Sequence, residues 1–410
     1  MSLIANIGVL AIFKYYNFIN ENITQILANF GYKNVIPYLS ILLPIGLSFH
    51  TFQAMSYTFE VYRGNQKAER HFGIYALYVM FFPQLVAGPI ERPQNVLHQF
   101  HEKKYFDTNN VITGLRMMLW GMFKKVVIAD RLAELTDKIF TTPQDYSATT
   151  VLIGIIFFSF QIFCDFSGYS DIALGTAKIM GYNLMTNFNR PYSAKSISEF
   201  WKRWHISLST WFRDYLYIPL GGNRVKLGRF LLNTMIVFLI SGLWHGAKWT
   251  FVVWGALHGC YMIFEILFKK PWLKIKDTLL ISRVKWIDNT LQKLIVFISV
   301  SIAWTFFRAD SFKDAAYILH KIPSVFSEII MSLKTNTPLV NFGISNDKLI
   351  LCFIVIIIME TVHYFQHKNS ITVLLNKIPI FWRWGLYYTF IFMIIYLGVF
   401  HNRQFIYFQF

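Results

Sequence analysis

The sequence predicts an all-α fold, a polytopic membrane helical bundle that also contains re-entrant and interfacial amphipathic helices. Hydrophobic residues make up 55% of the 410 positions and charged residues 15%, which is more apolar surface than one soluble core can bury. The 41 Phe, 22 Tyr and 12 Trp suit lipid-facing and interfacial positions. Apolar runs of spanning length recur along the chain, so we expect roughly nine to eleven membrane segments in a single domain over residues 1–410.

The first two apolar runs are expected to cross the membrane. Residues 3–19 predict a helix of marginal length that Lys14 interrupts, and they lack the cationic segment and cleavage site of a removable signal peptide. Residues 34–59 are uncharged and long enough to span with a kink at Pro37 and Pro44.

The next run, residues 72–90, ends in the motif FPQLVAGPIERP. Its prolines and glycine break a helix at membrane depth, where irregular backbone is tolerated only if protein or a water-filled cavity covers it. We therefore predict a re-entrant segment. The later motif YIPLGGN, residues 217–223, has the same composition, and we expect both motifs to line a cavity rather than face lipid.

Charged side chains interrupt two further apolar segments. Residues 111–129 contain Arg116, Lys124 and Lys125, which indicates a helix lying partly in the membrane interface. Farther on, Asp165 and Asp171 are too far apart in sequence to share one helix face cleanly, and Gly168 between them loosens a helix. Three roles are open for these acids: they line a cavity, pair with nearby arginines, or stand as helix-end charges near headgroups.

Residues 187–224 contain the pattern of an amphipathic helix rather than of a simple span. Apolar and charged side chains alternate at helical spacing: Phe200, Trp201, Trp204 and Leu208 against Lys202, Arg203, Arg213 and Asp214. Ser196 or Ser198 is a candidate N-cap. His205 lies within this helix, and a lone histidine beside tryptophans is more often an interface residue than a catalyst.

The stretch 233–259, NTMIVFLISGLWHGAKWTFVVWGALHG, places His245 at the junction of two apolar runs. An imidazole at membrane depth is costly unless it faces a cavity or a partner, which makes His245 a functional candidate. A histidine hydrogen-bonded to a neighbouring helix explains this stretch equally well.

The remaining spans are predicted at residues 294–307, 349–359 and 384–400. An amphipathic helix, RADSFKDAAYILHKI, is expected between the first two of these spans.

The net charge of +17 does not indicate a nucleic-acid partner, because the basic residues fall between apolar runs as the positive-inside bias requires. A cluster of them is expected in one loop: Lys269, Lys270, Lys274, Lys276, Arg283 and Lys285. Anionic lipid headgroups or a polyanionic molecule such as coenzyme A are the expected partners. The three cysteines, Cys164, Cys260 and Cys352, have neither metal-ligand nor disulfide spacing and are interpreted as small core residues, so no metal is expected.

Several blocks of this sequence resemble the membrane-bound O-acyltransferase family, and within it the bacterial alginate O-acetylases and related polysaccharide or peptidoglycan O-acetyltransferases. They are FPQLVAGPIERP, FCDFSGYSDIALG, residues 187–224, SGLWHGAKWTFVVWGALHG, AWTFFRADSF and the terminal FIYFQF. The resemblance is collinear over essentially the whole chain, and the pair FWKRWHISLS and GLWHG is highly specific. Such proteins usually begin with several more hydrophobic helices, so we expect the first of those helices to be missing.

The resemblance implies that His245 is the catalytic histidine and His205 the second polar residue of the active site. A neutral imidazole suits the deprotonation of a sugar hydroxyl that attacks a thioester. We expect both rings to face one water-containing central tunnel, with His205 neutral because of the cationic residues around it. Side chains expected along the tunnel, toward the donor, are Trp204, Arg203, Arg213 and Trp244.

The resemblance further implies acetyl-CoA as the donor substrate, no bound cofactor, and a location in the bacterial cytoplasmic membrane. The acceptor is an exported polysaccharide such as alginate, reached directly or through an extracytoplasmic acetyltransferase partner. A D-alanyl transferase fed by an acyl carrier protein and a peptidoglycan O-acetyltransferase share the two-histidine plan. A transporter or flippase and a scaffold subunit without chemistry are alternatives from other classes.

Overall fold

The computed structural model describes residues 2–40, 44, 46–86, 88–366, 371–400 and 405–406, and every regular element in these residues is helical. The first third contains α1 (Ser2–Leu10), α2 (Tyr16–Asn29), α3 (Leu47–Tyr62), α4 (Phe72–Met80), α5 (Pro93–Val96) and α6 (Thr108–Met122). The middle contains α7 (Asp130–Thr141), α8 (Ala148–Ile179), α9 (Ile197–Trp201), α10 (Ile206–Phe212), α11 (Leu227–His245) and α12 (Trp249–Thr278). The last third contains α13 (Lys285–Arg308), α14 (Phe312–Lys321), α15 (Val325–Thr335), α16 (Asn346–Gln366), α17 (Ile371–Lys377) and α18 (Ile380–Leu397).

Seven helical segments in the described residues are long and apolar enough to cross a membrane. They are α1 and α2 joined as Ser2–Asn29, then α8, α11, α12, α13, α16 and α18. The protein is therefore a multi-pass membrane protein, as predicted. Seven is fewer than the predicted nine to eleven membrane segments, and the predicted segments 34–59, 72–90 and 111–129 are not among the seven.

The first of these segments is 34–59, for which the prediction of one kinked spanning helix is wrong. Residues 34–40 are not helical, and α3 begins only after Gly46, which has a left-handed φ of 78°. Pro37 lacks the N–H that a helix needs. Its carbonyl and that of Ile36 instead accept hydrogen bonds from the Asn20 amide, at 3.1 and 3.2 Å.

Another is 111–129, where α6 packs along α8 and the turn that follows α6 is buried in the protein core. A Cβ on Gly114 would stand 2.5 Å from the Gly175 carbonyl oxygen, and one on Gly121 would stand 2.6 Å from that of Gly168. Because these glycines have no side chain, the backbones of α6 and α8 can approach closely. A π-helical turn, Phe123–Ala129, then joins α6 to α7.

Both acids of α8 form ion pairs with lysines of this π-helical turn. The Lys125 ammonium lies 2.7 Å from an Asp165 carboxylate oxygen and 2.8 Å from one of Asp130. The Lys124 ammonium lies 2.8 Å from Asp171. Of the possibilities left open by the sequence, ion pairing is the one observed, with lysine rather than arginine as the partner. Charges buried in a helical core are stable only when paired in this way.

The motif FPQLVAGPIERP interrupts its helix as predicted. Helix α4 ends at Met80, a short 3-10 turn follows, and Pro83 and Pro89 are buried by protein. The motif YIPLGGN is only partly covered, since Gly222 is buried whereas Ile218 and Pro219 are exposed. The Asn233 amide donates to the carbonyls of Leu220 and Gly222, at 3.0 and 3.2 Å.

The later spans are confirmed as parts of α13, α16 and α18, and the amphipathic helix as α14. Two smaller predictions are wrong. Lys269, Lys270, Lys274 and Lys276 lie on the last turns of α12 rather than in a loop, and Lys276 pairs with Asp288 at 2.8 Å. Cys164 and Cys352 are buried as expected, but Cys260 is exposed.

Candidate active site

His205 lies at a break between two short helices, where one continuous amphipathic helix was predicted. Helix α9 ends at Trp201 and α10 begins at Ile206, and His205 between them has a left-handed φ of 43°. A non-glycine residue is held in this conformation only when its surroundings over-determine it, which is typical of functional sites. The predicted cap is confirmed, because the Ser196 hydroxyl accepts from the Glu199 N–H at 3.0 Å.

A hydrogen-bond network fixes the His205 ring. The Asn187 side-chain oxygen accepts from the Ser207 N–H at 3.2 Å and from its hydroxyl at 2.9 Å, which sets the amide orientation. The same oxygen lies 3.1 Å from His205 Nδ1, so Nδ1 carries the proton and donates. Nε2 is buried without a hydrogen-bond partner in the described part of the chain. His205 therefore keeps an unused acceptor atom.

Burial lowers the pKa of His205 to about 3, so the imidazole is neutral at pH 7. This lowered pKa agrees with the predicted neutral ring, but its cause is burial rather than the cationic neighbours. The cationic neighbours are engaged elsewhere: Arg203 lies 2.6 Å from Glu199, and Arg213, whose side chain is 59% exposed, lies 2.7 Å from Asp214.

His245 is the last residue of α11 and is buried among aromatic rings. Its ring centroid lies 4.9 Å from Trp244, 4.9 Å from Trp254 and 5.2 Å from Phe307. The residue that follows, Gly246, is packed against a neighbouring ring. A Cβ on Gly246 would come within 2.1 Å of the Phe251 ring, so an approaching hydroxyl must reach the imidazole from another side.

Trp244 brings the two predicted histidines together. Its ring lies 6.3 Å from His205 and 4.9 Å from His245, although the histidines are far apart in the sequence. Phe49 and Phe52 of α3 pack on Trp244 at 5.6 and 5.1 Å. The Trp244 indole N–H is buried without an acceptor among the described residues. The site is thus an aromatic-walled cluster with two imidazoles and one available donor.

A third buried histidine, His258, was missed by the sequence analysis. It lies on α12 one turn after Trp254, whose ring is 4.9 Å from both His258 and His245. His258 is fully buried, and neither ring nitrogen has a hydrogen-bond partner in the part of the chain that the structure describes. The same argument that singled out His245, an imidazole at membrane depth, applies to His258 and could have found it.

The other predicted site residues are not gathered around the histidines. The Trp204 ring stacks on Phe200 at 5.6 Å and contacts Trp304 at 4.8 Å within the main hydrophobic core. Arg203 is held by Glu199, and Arg213 lies at the surface. Of the four residues expected along a tunnel, the structure places only Trp244 between the two histidines.

Chemically, this arrangement can exchange protons in a site with little water. A neutral imidazole accepts a proton at one nitrogen and donates a hydrogen bond at the other, and the surrounding rings exclude solvent. Among the described residues, no cluster of three His, Cys, Asp or Glu side chains could hold a metal ion.

Comparison with known proteins covers the part of the chain that contains this site. The sequence profile of the membrane-bound O-acyltransferase family matches residues 66–308, which include all three histidines. A probable alginate O-acetylase of Azotobacter vinelandii is 37% identical over 356 residues, covering 87% of this chain and 68% of that protein. A peptidoglycan O-acetyltransferase of Helicobacter pylori is 38% identical over 345 residues, or 78% and 63% of the two chains.

A teichoic acid D-alanyltransferase of Streptococcus thermophilus is more distant, at 29% identity over 261 residues, covering 60% of this chain and 61% of that protein. The chain thus spans about two thirds of the length of the relatives it matches. The family profile matches more than half of the chain, and the three buried histidines lie within the matched residues. The chain therefore belongs to the membrane-bound O-acyltransferase family.

Proposed function

We propose that the protein transfers an acetyl group from a cytoplasmic thioester to hydroxyl groups of an exported polysaccharide. The observation that carries this proposal is the meeting of His205 and His245 at the Trp244 ring, within the region that matches the family. Similarity to alginate O-acetylases favours an alginate-like polymer as acceptor. The bacterial relatives favour the cytoplasmic membrane as the location.

In the proposed reaction, His245 is the general base. The acceptor oxygen attacks the thioester carbonyl carbon, its proton passes to the imidazole, the C–S bond breaks, and the thiolate takes up a proton. Acetyl-CoA is the proposed donor. His205 would use Nδ1–H to keep its place on Asn187 and Nε2 to accept a hydrogen bond from the other groups of the site. The Trp244 indole N–H is a donor for the carbonyl oxygen as it gains negative charge.

Direct transfer to the acceptor is favoured over an acyl-enzyme intermediate. Ser207 is the serine nearest to His205, with its hydroxyl 3.4 Å from Nδ1. That hydroxyl donates to Asn187, and Nδ1 is itself a donor, so the imidazole cannot take the serine proton. We propose that the immediate acceptor is a hydroxyl from outside this chain, on the polymer or on an extracytoplasmic partner that completes the transfer.

The test compares purified wild-type protein with His245→Ala in liposomes that contain acetyl-CoA and a soluble polysaccharide acceptor. We expect the variant to insert normally and to lose about 10² to 10⁴ in rate, the usual contribution of a general base. His320→Ala is the matched control, because His320 is exposed on α14. Acetyl transfer at the wild-type rate by His245→Ala would exclude the mechanism.

A further inference from the structure

Two side chains of the first span, those of Lys14 and Tyr15, hold the last turn of α11. The Lys14 ammonium donates to the backbone carbonyls of Trp244 and His245, at 2.5 and 3.0 Å. The Tyr15 hydroxyl donates to the carbonyl of Leu243 at 2.7 Å. The contact between Lys14 and His245 joins residues 231 positions apart.

The end of a helix needs such partners, because its last carbonyls have no N–H from a following turn. The backbone beyond His245 is extended at Gly246, whose N–H still reaches the Gly242 carbonyl at 3.4 Å. Lys14 and Tyr15 donate hydrogen bonds to the next three carbonyls, those of Leu243, Trp244 and His245. A positive charge at this position also interacts favourably with the negative end of the helix dipole.

The same span, Ser2–Asn29, also contacts the start of α12, just after His245. The Trp249 indole N–H, at the start of α12, donates to the Asn22 side chain at 2.9 Å, and its ring lies 5.7 Å from Phe18. The span Ser2–Asn29 is otherwise largely exposed on the outside of the protein. Besides its hydrogen bonds with residues 34–39, this span makes four hydrogen bonds where α11 passes into α12.

A π-helical turn places Lys14 and Tyr15. This turn, Ala11–Tyr15, separates α1 from α2 and rotates the two side chains toward α11. π-helical turns within α-helices occur frequently at functional sites. Lys14 is also the only cationic residue in the span Ser2–Asn29. A cation within an apolar segment marks a functional role.

We propose that Lys14 is a positioning residue for the acyl transfer proposed above: by holding the last carbonyls of α11 it fixes the backbone, and so the ring, of His245. The inference rests on the proposed function for its kinetic consequence but not for its structural one. The proposal gives Lys14 no part in proton transfer, because its two hydrogen bonds go to backbone carbonyls of α11.

The kinetic test replaces Lys14 with Met, which keeps the length of the side chain and removes its charge and donors. We expect kcat to fall about 10- to 100-fold, since a displacement of about 1 Å at a catalytic group has this effect, while KM for the donor stays within about twofold. Lys14→Arg, which keeps both charge and donors, should recover most of the rate. Tyr15→Phe removes one of the three contacts and should cause a smaller loss.

Lys226→Met is the matched control. It removes the same charge from the opposite end of α11, where Lys226 is exposed and makes no cap hydrogen bond. Wild-type kcat in Lys14→Met, or an equal loss in Lys226→Met, would overturn the inference. So would a loss confined to KM, which would assign Lys14 to donor binding.

A second readout does not depend on acyl transfer. Carbethoxylation of histidines by diethyl pyrocarbonate, followed by mass spectrometry, should be severalfold faster at His245 in Lys14→Met than in the wild type. His205 and His258, which are fully buried, serve as internal references that should not change. Faster modification without any acetyl transfer by the wild type would support Lys14 as a positioning residue and contradict the proposed function. Unchanged modification would contradict the inference itself.

Discussion

At the scale of single residues, the three buried histidines differ in how they are held. His205 is fixed through Nδ1 by Asn187, at 3.1 Å, and has a strained backbone. His245 is fixed through its backbone, at the end of a helix whose carbonyls are capped by Lys14. His258 is enclosed by rings only, with Trp201 and Trp254 both at 4.9 Å. His205, whose ring is oriented through Nδ1, suits a supporting role in the reaction. A general base such as His245 must direct its accepting nitrogen at the substrate.

This difference predicts distinct responses to asparagine. His205→Asn should keep measurable turnover, because the new amide can still donate to Asn187, whereas His245→Asn should have none above the level of His245→Ala. Acetyl release by the purified variants in liposomes measures both. An equal residual rate in the two variants, or a greater loss at His205, would reverse the assignment of base and supporting residue.

At the scale of elements, the close packing of α6 on α8 places the ion pairs of the core. Gly121 and Gly168 lie where the two backbones approach, and the π-helical turn that follows carries the two lysines. The packing thereby orders α8, whose residue Phe166 lies 4.6 Å from the His205 ring. The site depends on this pair of helices even though neither contributes a histidine.

Two glycine substitutions test this packing. In Gly168→Ala the new methyl group would lie 2.8 Å from the Gly121 carbonyl oxygen and 3.1 Å from the backbone nitrogen of Lys125. The two helices would therefore have to separate. We expect a loss of about 1 to 3 kcal/mol, as for other overpacked cores. Gly228→Ala, on α11 with open space around it, should instead be neutral or stabilise by about 0.5 to 1 kcal/mol. Thermal unfolding in detergent compares the two, and equal midpoints would contradict this account.

At the scale of the whole molecule, the protein is a multi-pass membrane protein of the O-acyltransferase family, for which we propose an acetyl donor. Alginate and peptidoglycan O-acetyltransferases and a teichoic acid D-alanyltransferase all align with it. The greater identity to the O-acetyltransferases favours acetyl over D-alanyl transfer.

A direct comparison of donors tests this choice. Liposomes containing the protein are supplied with radiolabelled acetyl-CoA or with a D-alanyl carrier protein, and label on polysaccharide or teichoic acid acceptors is measured. We expect transfer from acetyl-CoA alone, abolished in His245→Ala. Transfer only from the carrier protein would replace the proposed function with D-alanylation, and release of intact donor across the membrane without transfer would indicate a transporter.

The sequence by itself determined the membrane class and the later spans and made His205 and His245 candidates, because composition, run length and motifs are properties of neighbouring positions. It did not predict the break at His205, since that residue's φ depends on contacts with Asn187 across the fold. It missed the extended course of 34–40 and the burial of Lys124, which depend on hydrogen bonds and ion pairs with distant segments.

Only the tertiary structure decided which residues meet. Trp244 between the two histidines, His258 behind Trp254, and Lys14 on the last turn of α11 are contacts between helices far apart in the chain. Helical periodicity shows which face of a helix is apolar, but it carries no information about which other face will pack against it. The choice of partner depends on the shapes and unsatisfied polar groups of the whole bundle, such as the α11 carbonyls that Lys14 satisfies.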